Sequence, residues 1–427
     1  MPTLSPIRLT ALLLVLAAPS LAAEPRVGDA GSKPHPAKFD DNFPDMKRWA
    51  EAGVAGGIPA RDAIKVVKTA KPGDDVQKLI DETAKAGGGV VLLSAGTYEV
   101  KRVLDLKSNV VLRGESRDAV VLENTMRSPR LTQGFFSVKF DRASKAGLES
   151  LTIRHAEVAR LGLDVYHERV AGPKNNPTGV RDLYVGGVEM ADCDDCWVDG
   201  VSILHSGSHP LEVIGGKRVT VRDTLIDGAF NKGDEGAPAG SGNVYFTVTS
   251  GLFYNNTVRN TRHALVVRDG LAGEDFTYTV VLDCNFQGDV NFHGNRQDSG
   301  HNLFEGVLVR SLTTHGWTAW AYWKKEDIGL NNLMFRSAGW GGSNGDRYAS
   351  TDPSKVYTFT NMKDPNLLVD TQKPTPKAGT LYAVTGKAPT ALAAEAFPKN
   401  QTEARDAMFK RWIAPKAEKP ATKPAAK

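Results

Sequence analysis

Two stretches of the chain concentrate residues that can move protons and bind anions. "TRHA" supplies Arg262 and His263, and "DVNFHGNRQDSGHNLFEG" supplies Asp289, His293, Arg296 and His301. "THGWTAWAYWKKED" follows with His315, Trp317, Trp320, Tyr322, Trp323, Lys324 and Lys325. One type of reaction would use this whole set. Elimination beside a carboxylate needs that carboxylate neutralised, a base for the proton on the adjacent carbon, and an acid for the leaving oxygen. Arg262 or Arg296 is the candidate neutraliser, and His293 or His263 the candidate base. Asp289, His301, His315, Trp317, Trp320, Tyr322, Trp323 and Lys324 are candidate substrate contacts, because aromatic faces stack on sugar rings and lysines suit acidic groups. The competing reading is structural: His and Asn fill polar turns by bonding local backbone, and alternate aromatics can cover a core.

A third cluster lies in "EMADCDDCWVDG", where Asp192, Asp194 and Asp195 precede Asp199. Hard cations want several carboxylate and carbonyl oxygens, so Ca²⁺ is the metal these aspartates would suit, although no contiguous calcium-loop pattern is present. Hydrolysis would instead need two carboxyl groups about 5 to 9.5 Å apart. Asp234 with Glu235, or Asp289 with Asp298, are the candidate pairs. A non-catalytic binder, presenting an aromatic stripe without either constellation, is the third reading. Cys193 and Cys196 could close a short disulfide in an oxidising compartment, leaving Cys284 a buried thiol; zinc is not expected, since no second ligand pair stands near them.

These residues need a scaffold that brings distant positions together. "PGDDVQKLIDETAKAGGG" places Val76, Leu79, Ile80 and Thr83/Ala84 on one helical face, with acids at its start and glycines at its end. A second, short helix is expected around "FPDMKRWAEAG". Beyond the first helix the pattern switches to short apolar runs bounded by Gly, Asn, Asp or Ser: "VVLLSAGTYEV", "NVVLRG", "AVVLENT", "FFSVKF" and "LESLTIRHA". From about 186 to 340 the runs superimpose, with Val198, Val221, Tyr254, Leu282, Phe304 and Phe335 as equivalents at separations of 23, 33, 28, 22 and 31 residues. A base unit near 22 is the period of a coil that returns to the same face after three short strands. The expected fold is all-β, a right-handed parallel β-helix with an N-terminal capping helix. Equivalent positions of neighbouring coils would then stand about 4.8 Å apart. Arg262 and His263, about 30 residues before Asp289 and His293, would become their neighbours, and His315 and Trp317 the next in line.

The cap and the following "GGGVVLLSAGTYEVKRVLDLKSNVVLRGE" resemble the opening of the pectate-lyase-like β-helix superfamily, and the resemblance runs from about 74 to 370. It implies the fold; that superfamily contains polysaccharide lyases, glycoside hydrolases, epimerases, esterases and non-catalytic binders. "TRHALVVRDG", "DVNFHGN" and "HNLFEG" together resemble a narrower group of secreted β-helix proteins, which implies a shared face rather than a reaction.

Arg8 followed by "LTALLLVLAAPSLAA" has the layout of an export signal ending at residue 22, too short in its apolar part to span a bilayer. Export to the periplasm or the medium is expected, with no membrane span. Residues 23–72 read as a lead-in, 73–370 as the β-helix, 371–414 as an extension, and 415–427 as a disordered Lys/Pro/Ala tail. The net charge of +4 resides in the first 22 residues and the tail, so residues 23–414 are balanced and offer no basic field for nucleic acid. The partner expected is an acidic polysaccharide, acted on by a monomer. A lyase cleaving a uronate-containing glycan is the leading expectation, with a carboxylate-pair hydrolase or a carbohydrate-binding surface protein as alternatives.

Overall fold

The computed structural model describes residues 25–32, 39–41, 43–128, 135–161, 182–230, 242–267, 276–292, 300–310, 320–322, 332–335, 337–340 and 367–369. The segments 1–22, 371–414 and 415–427, and His293, Arg296, His315, Trp317, Trp323 and Lys324, lie outside them.

Among the described residues the strands form three sheets of eleven, eight and nine strands, and every pairing between them is parallel. Each sheet takes every third strand of the chain, which makes a parallel β-helix, wound in the right-handed sense that parallel crossovers adopt. The cap is the helix Val76–Lys85; Asp75 accepts a bond from the Lys78 N–H at its N-terminus, and Val76, Ile80 and Thr83 are buried. The second helix is a single turn, Met46–Trp49.

The strands are short because each coil must turn three times. After each of six successive strands of the eleven-stranded sheet one residue takes a left-handed φ: Ser150, Gly200, Asp223, Asn255, Asp283 and Gly306. Asn, Asp and Gly tolerate this conformation best, which is why they punctuate the apolar runs. Inside, side chains stack coil upon coil. Val198, Val221, Phe253, Val281, Phe304 and Met334 are register partners in one buried row. The sequence alignment therefore held at Val198, Val221 and Phe304 but was one residue late at Tyr254, Leu282 and Phe335. A one-residue slip in a strand exchanges the two faces; Tyr254 and Leu282 belong to the outer row, beside Asp199 and Arg222.

That outer row is covered by the segment read as a lead-in. Val27, Phe43, Met46, Trp49 and Ala52 pack on Leu252, Tyr254, Val280, Leu282, Leu303 and Leu333. Further along, Ile58 packs with Val90, Val111 and Trp197. Ion pairs fix the strap at its charged positions. Arg222, almost fully buried, reaches Asp199 at 2.8 Å and Asp29 at 2.6 Å, and donates to the Val27 carbonyl. Burial works against the Arg222 charge, but the two carboxylates outweigh it and hold the guanidinium above the ordinary arginine range. Arg113 pairs with Glu149, whose second oxygen accepts from the Trp197 indole N–H at 2.8 Å. The strand Val66–Ala70, inside residues 23–72, already belongs to the eleven-stranded sheet through its pairing with Gly89–Leu93.

The cysteines are three buried free thiols, so the short Cys193–Cys196 disulfide considered from sequence is not formed. Cys193 bonds toward the Phe140 and Ala191 carbonyls and Cys196 toward Ala143. The hydrogen bond with Cys196, then burial, pushes the Cys193 thiol far up.

Candidate active site

The candidate site stands on the outward face of the eight-stranded sheet. Its strands Leu211–Lys217, Val244–Thr249, Leu265–Val267 and Val290–Phe292 pair in that order. Alternation decides which side chains face out. Leu211, Val244, Leu265 and Val290 enter the core, as do Val213, Phe246, Val267 and Phe292. Glu212, Tyr245, Val266 and Asn291 therefore form an outward row, continued backward by Glu189 and Lys139.

Arg262 and His263 occupy the turn that leads into Leu265–Val267. The turn is held by the backbone: Arg262 N–H donates to the Gly242 carbonyl at 2.8 Å, and Val244 N–H donates to the His263 carbonyl at 3.3 Å. One coil on, the Asp289 carbonyl accepts from the N–H groups of Ala264 and Leu265. Gly288 sits where a Cβ would lie 3.1 Å from Ala264, so the close approach of the two turns favours glycine there. This clamp brings the Asp289 carboxylate to His263 Nδ1, with its two oxygens at 2.9 and 2.8 Å. Asn291 Nδ2 lies 3.4 Å from the same carboxylate. Asp289 is fully buried, and Arg262 and His263 nearly so.

The geometry sets the tautomer. Hydrogen bonding to a buried carboxylate places the imidazole proton on Nδ1, which makes Nε2 the basic nitrogen. Asp289, expected as a substrate contact, is thus placed as the group that orients His263. Residues about 26 apart in the chain have become partners because one coil separates them.

The other expectations are divided. His301 is not brought to this face: it precedes a strand of the eleven-stranded sheet, bonds Asp45 at 2.9 Å through Nδ1, and packs against Tyr278. Its carbonyl accepts from the Trp49 indole, so it anchors the strap. The strand Trp320–Tyr322 pairs with Val290–Phe292 and so continues the site's sheet by one coil. The calcium cluster does not assemble. Asp195 is engaged by Arg218 at 2.7 Å through both oxygens and by the Ala55 N–H, and Asp194 faces Lys217 at 3.6 Å. Cations of the protein thus occupy two of the three carboxylates, those of Asp194 and Asp195, and among the described residues no three His, Cys, Asp or Glu, Asp192 included, converge as metal ligands. Of the hydrolase pairs, Asp234, Glu235 and Asp298 lie outside the described residues, and Asp289 is engaged by His263.

Sequence reasoning missed six polar residues on this face. His209, just before Leu211, accepts the Asn243 backbone N–H on Nδ1 at 3.1 Å, and Asn243 Nδ2 donates to the Tyr245 hydroxyl at 2.9 Å. The His209 and Tyr245 rings meet edge to face at 5.1 Å. Glu189 and Glu212 are register partners on neighbouring strands, and Lys139 reaches Glu189 at 3.0 Å. Burial pulls the Lys139 ammonium down, and Glu189 beside it more than offsets this and raises it. Tyr245 is hidden in "NVYFTVT", which reads as ordinary strand; the only signals available were His209 and Asn243 immediately before apolar runs. Among the described residues, cavities elsewhere include one of about 640 Å³ by the capping helix, lined by Asp75, Tyr98 and Arg102, and one of about 470 Å³ between strap and sheet, lined by Arg26, Arg61 and Asp199.

No protein-family model matches the chain, and no curated protein matches it. Solved structures of similar shape include pectin methylesterase PemA from Erwinia chrysanthemi, 15% identical, covering 73% of this chain and 95% of that one at a TM-score of 0.39. An exopolygalacturonase from Thermotoga maritima is 13% identical over 69% of this chain and 74% of its own, at 0.40. PfbA, a surface adhesin of Streptococcus pneumoniae, is 13% identical over 61% and 69%, at 0.42.

Proposed function

We propose that the protein is an exported polysaccharide lyase that cleaves a uronate-containing glycan by β-elimination. The observation that carries the reading is the bond between His263 Nδ1 and the buried Asp289 carboxylate, which leaves Nε2 as the ring nitrogen to exchange a proton. In this role His263 removes the proton on the carbon next to the uronate carboxylate, Asp289 holds the imidazolium that results, and Arg262 neutralises the substrate carboxylate. His293 and Arg296, expected from sequence as alternative base and neutraliser, follow Val290–Phe292 in the chain and belong to the same proposal. His315, Trp317, Trp323 and Lys324, with Trp320 and Tyr322 on the next strand, are proposed sugar subsites.

The test is ultraviolet absorbance of the unsaturated uronate ends that only elimination creates, measured over a panel of uronate polysaccharides. A rise in wild type that is lost in H263Q supports the reading; new reducing ends without absorbance overturn it. That second outcome has its own structural basis. Glu189 and Glu212 stand side by side on the outward row, as a carboxylate-pair hydrolase would require, and E189Q would then abolish turnover.

A further inference from the structure

The cavity of about 470 Å³ between strap and sheet lies at the corner where the eleven-stranded sheet turns, away from the eight-stranded sheet that carries His263. Ser150 and Gly200, the turn residues of two neighbouring coils, line it together with Arg26, Ile58, Pro59 and Arg61 of the strap. Its volume falls within the range of about 300–1,000 Å³ over which small-molecule sites are found.

The charges around this cavity do not balance. Each carboxylate of the lining already has an arginine: Asp199 is held by Arg26 at 3.0 Å and Arg222 at 2.8 Å, Asp29 by Arg222 at 2.6 Å, and Glu149 by Arg113. Arg61 has no such partner. Its guanidinium donates to the Ser150 hydroxyl at 3.1 Å and to the Gly114 and Glu115 carbonyls at 3.0 and 3.3 Å. The Glu115 carboxylate is itself taken by the Ala95 N–H. At the same corner Arg117 donates to the carbonyls of Gly200 and Asp223, again with no carboxylate. Among the described residues, therefore, two guanidinium groups meet only neutral acceptors, and Arg61 is exposed, with its Nε–H and one Nη1–H still to donate.

Ser150 and Gly200 shape the space these cations border. The Ser150 hydroxyl accepts from Arg61, which leaves its own proton to donate. Gly200 adds no side chain: a Cβ there would stand 3.5 Å from Arg117 Nη2 and 4.0 Å from Ser150 Oγ. The pattern of a few aimed donors against apolar walls, here Ile58 and Pro59, is that of a site for a small polar ligand.

We propose that this corner binds a small oxyanion, and that the carboxylate of an acidic sugar is the form its apolar walls suit. Arg61 pairs with the carboxylate through its planar fork, the Ser150 hydroxyl donates to it, and Arg117 supplies the second positive charge. Ile58 and Pro59 carry the C–H face of the ring. The site holds no base, so it retains the sugar without turning it over, and it stands independently of the elimination reading.

The experiment is calorimetric titration of the full-length protein with galacturonate, galactose and sulfate at matched low ionic strength, with hydrogen exchange to locate the ligand. Galacturonate is expected to bind and galactose not, with slowed exchange in the segments 58–61 and 147–150. R61Q should weaken binding by about tenfold or more and abolish that protection, and R61K, which keeps the charge but loses the fork, should weaken it less. S150G removes the hydroxyl at a residue whose φ of 53° suits glycine, so it should weaken binding by about threefold or more without lowering the unfolding midpoint. Galacturonate bound more tightly than sulfate identifies the sugar acid as the ligand; sulfate bound equally well, and lost in R61Q, identifies a free oxyanion at the same site. Binding that is unchanged in R61Q, protection confined to other coils, or no binding of either anion overturns the site. A protein that shows this protection but eliminates no polymer loses only the lyase reading, and one that eliminates without it loses only this site.

Discussion

Replacing Asp289 by Asn isolates the contact on which the functional reading depends. The side chain keeps its shape, and Asp289 is fully buried, so nothing else needs to move. The hydrogen bond lost is one to a charged group, about 1.5–3 kcal/mol. Because about 1.4 kcal/mol is a factor of ten, the imidazolium formed during proton transfer should be disfavoured by about 10- to 150-fold. An amide turned to donate its N–H to Nδ1 would also place the ring proton on Nε2 and extend the loss toward about 10⁴-fold. Stability should respond differently. The lost bond to Nδ1 is set against the relief of burying a carboxylate charge, so the unfolding midpoint should change far less than turnover does. The assay is initial-rate absorbance at saturating polymer together with calorimetric unfolding of both proteins. Turnover above half of wild type would refute the orienting role; a fall in turnover matched by a large fall in midpoint would make the pair structural.

The strap gives a second expectation: E149A leaves the buried Arg113 charge without its carboxylate and should cost about 3–5 kcal/mol, read as a lower urea midpoint at unchanged slope. In G147A a Cβ would stand 2.3 Å from the Trp197 ring, so the indole must shift from Glu149, and destabilisation of about 1–3 kcal/mol is expected by the same measurement. Burial, reinforced by Asp283 and Asp223, pushes the Tyr254 hydroxyl up to about 12. The folded state thus holds its proton more tightly than the unfolded state, so this contribution is complete below about pH 10, is lost as pH rises toward about 12, and should be absent from the alkaline unfolding profile of Y254F. The three thiols should resist alkylation in the native protein and react together on unfolding, counted by mass; labelling of the folded chain would contradict their burial.

The sequence by itself determined the architecture. Helical spacing with Asp75 before it and glycines after it leaves little freedom for the cap, and apolar runs separated by Asn, Asp, Ser and Gly specify coils because left-handed turn residues are few. Those signals are local, so they survive without tertiary information. The same periodicity placed Arg262 and His263 one coil from Asp289, and the structure joins His263 to it. Register to the single residue was beyond it. Tyr254, Leu282 and Phe335 were assigned one position late, because inserted turns carry no periodicity and the neighbouring residue is also apolar. Packing in three dimensions decided the rest. Val27, Phe43, Met46 and Trp49 have no repeating pattern, and only the exposed outer row of a sheet gives them something to cover. His301 looked equivalent to His263 in composition; the strap took it through Asp45 and Trp49. Tyr245 looked like any strand tyrosine, and Asp195 like a calcium ligand. Which face a side chain occupies, and whether a cation of the protein has already reached it, depends on coils distant in sequence, and only the assembled helix fixes both.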